Sequence, residues 1–362
     1  MFKRSSRISS VRVFVRYAHD IQISRTGKPI LRSGPGGRSS LTGHTATVFG
    51  ANGFVGRYLV SRLAKQGTTV VVPWRSEDAK RPLKVSGDLG QVVMLEFDLR
   101  NTQSIEEAVR HSNIVYNLIG RDYETKNFTY EDVHIEGTER IVEAVAKYDV
   151  DRFVQVSCMN ANPESTSKFY RTKAMGEEAA RKVFQETTIV RPAAIFGAED
   201  RFLNNLGSRK SIFTSYRNNR YVRPVHVVDV ARGLELLMFD DSTAGQLFEL
   251  YGPNEYTMTQ ILDLVSKVTM RSSWRFDLPK PVLKAMARVL DKLYWHIVCP
   301  DEVERQFIDI CYTEGAKKFR DLGIEPTALE MLALKYLRIY RTSSLYDAPP
   351  SREEVQDRYM VD

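Results

Sequence analysis

The stretch TATVFGANGFVGRYLVSRLAKQG (45–67) leaves few folds open to this chain. A short run of β-forming residues meets a run with helical period across Gly50, Gly53 and Gly56. Glycines at that spacing allow a tight turn and a close approach of backbone to a pyrophosphate. The helix start that follows offers unpaired N–H groups and a positive dipole end. The strand–turn–helix setting separates such a fingerprint from an ordinary tight turn. Gly50, Asn52, Gly53, Phe54, Val55 and Gly56 are therefore candidate dinucleotide contacts.

The pattern continues past the glycines. TTVVVPWR, VVMLEFDL, NIVYNLIG, DRFVQVSC and TTIVRPAAIFG read as strands. Between them SIEEAVRHS, with a serine cap, YEDVHIEGTERIVEAVAKYDV and SKFYRTKAMGEEAARKVF read as helices. Continuous apolar strands alternating with helices imply a parallel sheet covered on both faces. The expected fold is α/β, a doubly wound Rossmann-type parallel sheet over 45–200, with a smaller, mainly helical C-terminal lobe over 201–345. The strand–helix unit 224–239 returns to the main domain, and helices are expected over 257–268, 279–298 and 328–341. Residues 18–44, rich in Gly, Ser and Arg, read as an extended, exposed arm, and 346–362 as an acidic tail.

The formal charge of +7 depends on the first residues. Lys3, Arg4, Arg7, Arg12 and Arg16 precede the first acid, Asp20, with serines and apolar residues between them. That is the composition of a mitochondrial transit peptide, read here as 1–17; the alternative is a basic arm for a membrane or nucleic acid. Without those five charges, 47 basic and 45 acidic residues remain, a balance of +2. Most of the basic excess is thus an address, and no nucleic-acid partner is expected. The three cysteines form no CxxC pair, the six histidines show no metal-ligand spacing, and no run approaches a membrane span. His226 reads as a support for the lobe.

Which dinucleotide is set by the end of the second strand. An acid there would suit a ribose 2′-hydroxyl; this chain has Arg75, whose guanidinium suits a 2′-phosphate. NADP(H) is expected, with Glu77 and Asp78 placed slightly late for NAD and an ordinary surface arginine as the bland reading. A flavin nucleotide also satisfies the fingerprint. Asp98 and Leu99 end the third strand, where the adenine lies. Leu118, Ile119 and Gly120 end the fourth, beside the cofactor path.

GANGFVG, FDL, FVQVS, RP (191–192) and VHVVDVA together resemble the short-chain dehydrogenase/reductase superfamily, in its extended or atypical branch. The resemblance implies a catalytic Tyr-xxx-Lys pair one helical turn apart and a serine after the fifth strand. Lys173 matches the lysine, but the tyrosine position is Phe169, and Tyr170 is rotated about 100° around the helix. Ser157 is followed by Cys158 and Met159, so its match is loose. The resemblance implies that the cofactor half is kept, with Ser157, Lys173, Pro192 and Ile195 beside the nicotinamide end, and the proton relay lost. A narrower resemblance is carried by GPGGRSSLTG, YRTKAMGEEAAR, IVRPAAIFGAEDRFLNN and YVRPVHVVDVA. These stretches are similar to the nucleotide-binding accessory subunits of mitochondrial complex I (NADH:ubiquinone oxidoreductase). It implies a peripheral, matrix-side, inner-membrane subunit near the quinone module that holds NADPH structurally and partners other peripheral-arm subunits. The alternatives are a working mitochondrial reductase or epimerase using Tyr170, and an RNA-binding relative through RKSIFTSYRNNRYVRP.

Residues 281–298 place Val282, Ala285, Met286, Val289, Leu293 and Ile297 on one face, with Lys284, Arg288 and Lys292 on another. Such a helix suits a membrane surface or a partner; the plainer reading is a lobe helix over the core.

Overall fold

The computed structural model describes residues 20–24, 26–34, 37, 40–209, 211–215, 220–271, 274–293, 299–342 and 346. The leader read at 1–17, the end of the helix read at 281–298, and the tail apart from Tyr346 lie outside them.

One seven-stranded sheet organises the chain: β1 (Thr45–Phe49), β2 (Thr69–Trp74), β3 (Val92–Glu96), β4 (Ile114–Asn117), β5 (Arg152–Val156), β6 (Thr188–Pro192) and β7 (Leu247–Leu250). The spatial order is 3-2-1-4-5-6-7, and every pairing is parallel. The order reverses between β1 and β4, which opens a crevice at the strands' carboxyl ends. Central strands β4 and β5 are buried at every position, as a sheet covered on both faces requires. Helices α1 (Phe54–Lys65) and α7 (Val227–Phe239) cover one face with Leu59, Leu63, Val230 and Leu234. Helices α3 (Thr102–Val109) and α4 (Gly137–Lys147) cover the other with Ile105, Val109, Ile141 and Val145.

Several elements differ from the sequence reading. The seventh strand comes from 247–250, inside the region read as the lobe: Leu247 lies opposite Ile189, and Lys317 bridges to Phe248 from the far side. Helix α2 (Glu77–Lys84) escapes the periodicity because Leu83 is its single buried residue. The cap of α3 is Asn101, whose side chain accepts from Gln103 N, and not the serine. The arm is no loose extension. Asp20–Ile23 and Pro29–Arg32 form an antiparallel hairpin. Its turn is tied to the main domain by Thr26 N to Asp151 Oδ1 (3.1 Å) and Lys28 Nζ to Asp149 O (2.7 Å). The alternation that would mark it as strand runs over only four residues on each side.

The lobe is built from α6 (Leu203–Ser208), α8 (Met258–Thr269), α9 (Lys280–Leu293), α10 (Pro300–Arg305) and α11 (Leu329–Leu337). Ile261, Val265, Leu203 and Leu337 form its core. His226 ties it to the main domain through Nε2 and Tyr336 Oη, 2.8 Å apart. Helix α9 buries Leu283 and Ala287 against Val303, leaving Val282 and Val289 about half exposed. Lys284, one of the three residues of the expected basic face, is paired with Glu304, as is Lys280 just before it.

Candidate functional site

The glycine loop has the geometry its sequence predicts. Gly50 has φ +78°, the left-handed region, and its carbonyl accepts from Gly53 N at 2.9 Å. A Cβ on Gly56 would stand 2.5 Å from Gly50 O and 2.6 Å from Ala51 Cα, so only glycine lets α1 pack on the turn. Helix α1 has Gly53 at its N-cap, which provides no side-chain hydrogen bond, and it has no acid in its first turn. Its first N–H groups and dipole end are thus left for an anion.

Asn52 lies in the turn after β1 and Ser157 directly after β5, and these two strands are two strand spacings (about 10 Å) apart in the sheet. Asn52 Oδ1 and Ser157 Oγ are both buried without a hydrogen-bond partner. An unsatisfied buried polar atom costs about 1–3 kcal/mol, a cost that a hydrogen bond to a bound group would offset. A cradle from which Cβ atoms are excluded, an orphan acceptor (Asn52 Oδ1) and an orphan hydroxyl (Ser157 Oγ) fit a dinucleotide laid across the switch point. Phe54 closes one side, its ring 2.9 Å from where a Cβ on Gly197 would lie, beside the strand Ile195–Phe196. Val55 packs partly buried on the core beneath, and Pro192 O accepts from Met159 N.

Arg75 follows β2 directly and is exposed. It makes no hydrogen bond, ion pair or ring contact among the described residues. Glu77 and Asp78 instead sit in the first turn of α2, paired with Lys80 and Arg81. Asp98 turns back on its own loop, accepting from Arg100 N at 2.9 Å. Leu99 is buried against the face of Gly137. Leu118 N donates to Phe49 O and Ile119 N to Asn117 Oδ1, which holds the β4 loop against Gly50.

Lys173 is buried on α5 (Lys168–Val183), and its Nζ reaches an otherwise exposed Gly120. Burial lowers its pKa, opposed by Cys158, Asp122 and Glu177. Its one hydrogen bond among the described residues is long, 3.5 Å to Val156 O, so its remaining donors are available to a ribose.

Sequence reasoning missed His134. It lies in a turn of π-helix (Asp132–Glu136) leading into α4, an irregularity frequent at functional sites. Its Nε2 accepts from Arg121 N (3.3 Å), and Nδ1 lies 3.0 Å from Thr172 Oγ1. Burial, then Lys173 and Arg305, push its pKa down to about 2, so the ring is neutral. With Thr172 Oγ1 donating to Phe169 O, the proton is on Nδ1. The only local signal is Tyr130 four residues earlier, which stacks on it.

Phe169, Tyr170 and Tyr130 form one buried cluster. Tyr130 Oη donates to Asp122 O at 2.7 Å. Tyr170 is buried, which raises its pKa. The ring of Phe169 is covered by Arg305, whose guanidinium carbon is 4.7 Å from the ring centre.

The sequence profile described as the NAD dependent epimerase/dehydratase family matches residues 46–250. The chain is 57% identical over 340 residues to the mitochondrial NADH-ubiquinone oxidoreductase 40 kDa subunit of Neurospora crassa, covering 94% of this chain and 90% of that one. The chain belongs to this epimerase/dehydratase family, in the branch of the complex I 40 kDa subunits. In that branch, the mouse NADH dehydrogenase [ubiquinone] 1 alpha subcomplex subunit 9 is 38% identical over 320 residues, 86% of this chain and 85% of that protein. A solved UDP-glucuronic acid 4-epimerase of Bacillus cereus, in complex with UDP-glucuronic acid and NAD, shares the fold. Its TM-score is 0.62, with 15% identity over 82% of this chain and 99% of that one. The family match starts in β1 and ends on the last residue of β7. Everything from Tyr251 onward, Arg305 included, lies outside the residues that the family profile matches. A nicotinamide dinucleotide is what a family of this description and this cradle imply.

Proposed function

We propose that the chain is an accessory subunit of mitochondrial complex I that holds NADP(H) as a structural ligand and carries out no turnover of its own. The observation that carries the reading is the 57% identity maintained over 94% of the chain to a subunit of that name. The transit-peptide composition of 1–17 supports a mitochondrial address. Among the described residues no helix is long and apolar enough to cross a membrane. That fits a peripheral subunit on the matrix face, beside the quinone module. The residues that would hold the nucleotide are the Gly50–Gly56 turn, Asn52, Arg75, Ser157 and Lys173. When bound, it stabilises the fold by mass action, because only the folded chain has the site.

The absence of turnover is supported at position 169. Phenylalanine has no proton to give, and the neighbouring Tyr170 is packed in an apolar cluster with its phenol held protonated by burial. Wild-type and Tyr170→Phe proteins are expected to oxidise bound NADPH at the same background rate when a simple ketone is added as hydride acceptor. Substrate-dependent oxidation that Tyr170→Phe abolishes would establish an enzyme instead.

The decisive test of the assembly is to solubilise mitochondria gently, separate complexes by size and find where this chain runs. Co-migration with NADH dehydrogenase activity is expected. Migration at monomer or dimer size would refute the subunit role.

A further inference from the structure

Past the last family strand, the chain crosses back over the site. Asp301 reaches the start of α5, where Ser167 provides no side-chain cap of its own. One carboxylate oxygen of Asp301 accepts from Lys168 N (2.8 Å), the other from Ser167 Oγ (2.9 Å). One turn on, Arg305 lies over the ring of Phe169 and donates to Asp122 O (3.0 Å). Arg220 donates to the carbonyl of Arg305 at 2.7 Å. Ile308 then packs against Tyr130, Phe169 and Tyr170, with Cys158 beside them. Asn160 fastens the far end: its amide nitrogen donates to Asp309 O and its oxygen accepts from Cys311 N, both at 3.1 Å.

These contacts share one location. Residue 169 is one helical turn from Lys173, and a side chain working there on a substrate would have to face it. What residue 169 faces is Arg305, a guanidinium more costly to bury than any aliphatic filler and held in place by Asp301 and Asp122. We propose that residues 299–311 are a built-in plug that fills the substrate side of the nucleotide site, so that the nucleotide's reactive end is closed to outside molecules by the chain itself. The plug is anchored from behind: Val303 packs on Leu283 and Ala287 of α9, and Glu304 takes both Lys280 and Lys284. The inference does not depend on the proposed assembly, because the closure is made within one chain.

The purified full-length protein provides the test. In the wild type, amides in 299–312 and 165–172 should be protected from hydrogen exchange. Cys158, half-buried beside Ile308 with its thiol pushed up to about 12 by desolvation, should react with N-ethylmaleimide far more slowly than the exposed Cys311. Asp301→Ala removes two charge-assisted hydrogen bonds and the α5 cap. It should speed both exchange in these segments and Cys158 alkylation by at least about tenfold, with 45–60 unchanged. Arg305→Ala should do the same for alkylation, and it decides the matter if Asp301→Ala fails to fold. Alkylation of wild-type Cys158 as fast as that of Cys311 would overturn the plug. So would faster exchange in folded variants with no change at Cys158, since the segment would then be docked without covering anything.

Discussion

Gly56→Ala is expected to lower the unfolding temperature by several degrees and to abolish stabilisation by NADPH. The added Cβ meets Gly50 O at 2.5 Å, Ala51 Cα at 2.6 Å and Ala51 O at 2.7 Å. All three are backbone atoms of the turn and cannot swing aside as a side-chain tip would. Alanine is the better helix former by about 1 kcal/mol. Forcing backbone apart in a packed site costs about 3 kcal/mol, so the steric term wins by about 2 kcal/mol. Relief requires α1 to move away from the turn, and that movement carries its first N–H groups off the pyrophosphate position. At a nucleotide concentration 100 times Kd, the wild type should gain about 2.7 kcal/mol and the variant almost nothing. Thermal unfolding with and without NADPH measures both numbers. A variant as stable as the wild type, and still stabilised by nucleotide, would mean that α1 does not rest on the turn.

The half of the site made by local sequence is legible in the order of residues alone. Gly50, Gly53 and Gly56 act on the chain within a few residues, and a strand buried on both faces writes its apolar run into consecutive positions. The vacancy at 169 is legible for the same reason, since a one-turn spacing to Lys173 needs only counting. The rest depends on side chains meeting backbone far along the chain, which leaves no period. Asp301 caps a helix that begins at Lys168, and Asn160 holds carbonyl and amide groups of Asp309 and Cys311. Strand β7 is four residues of LFEL whose partner, β6, lies on the other side of α6 and α7. The hairpin at 20–32 is fixed by Asp151, over a hundred residues away, and not by its own alternation. The amphipathic pattern of α9 misleads in a different way: its apolar positions span more than one face, and Val303 selects Leu283 and Ala287 rather than Val282 and Val289.

This division fits the proposed role. A chain that must bind a nucleotide without using it keeps the cradle under local control. Its reactive end is free to be filled by segments that a working enzyme would leave open. The Phe169 ring under Arg305 is then a packing choice, stabilised by the cation over its face and by Ile308, and not simply a catalytic group lost.

Arg75→Glu should separate the two nicotinamide nucleotides. Arg75 stands at the end of β2 with no partner among the described residues, whereas the nearby Lys80 is engaged by Glu77 and by the ring of Trp74, 3.8 Å from its centroid. A 2′-phosphate placed there would take paired hydrogen bonds from the guanidinium, the geometry that lysine cannot supply. Each charge-assisted bond contributes about 1.5–3 kcal/mol when shielded. At this exposed position the pair is discounted to about 2 kcal/mol. Reversing the charge adds repulsion of about 1 kcal/mol, so NADPH affinity should fall by about a hundredfold. NADH carries no 2′-phosphate and should bind the variant about as it binds the wild type. Calorimetric titration of both nucleotides into both proteins reads the difference directly. An unchanged NADPH affinity in Arg75→Glu would return Arg75 to the ordinary surface. A parallel loss of both nucleotides would indicate that the substitution had disturbed β2 itself and would leave no support for a 2′-phosphate site.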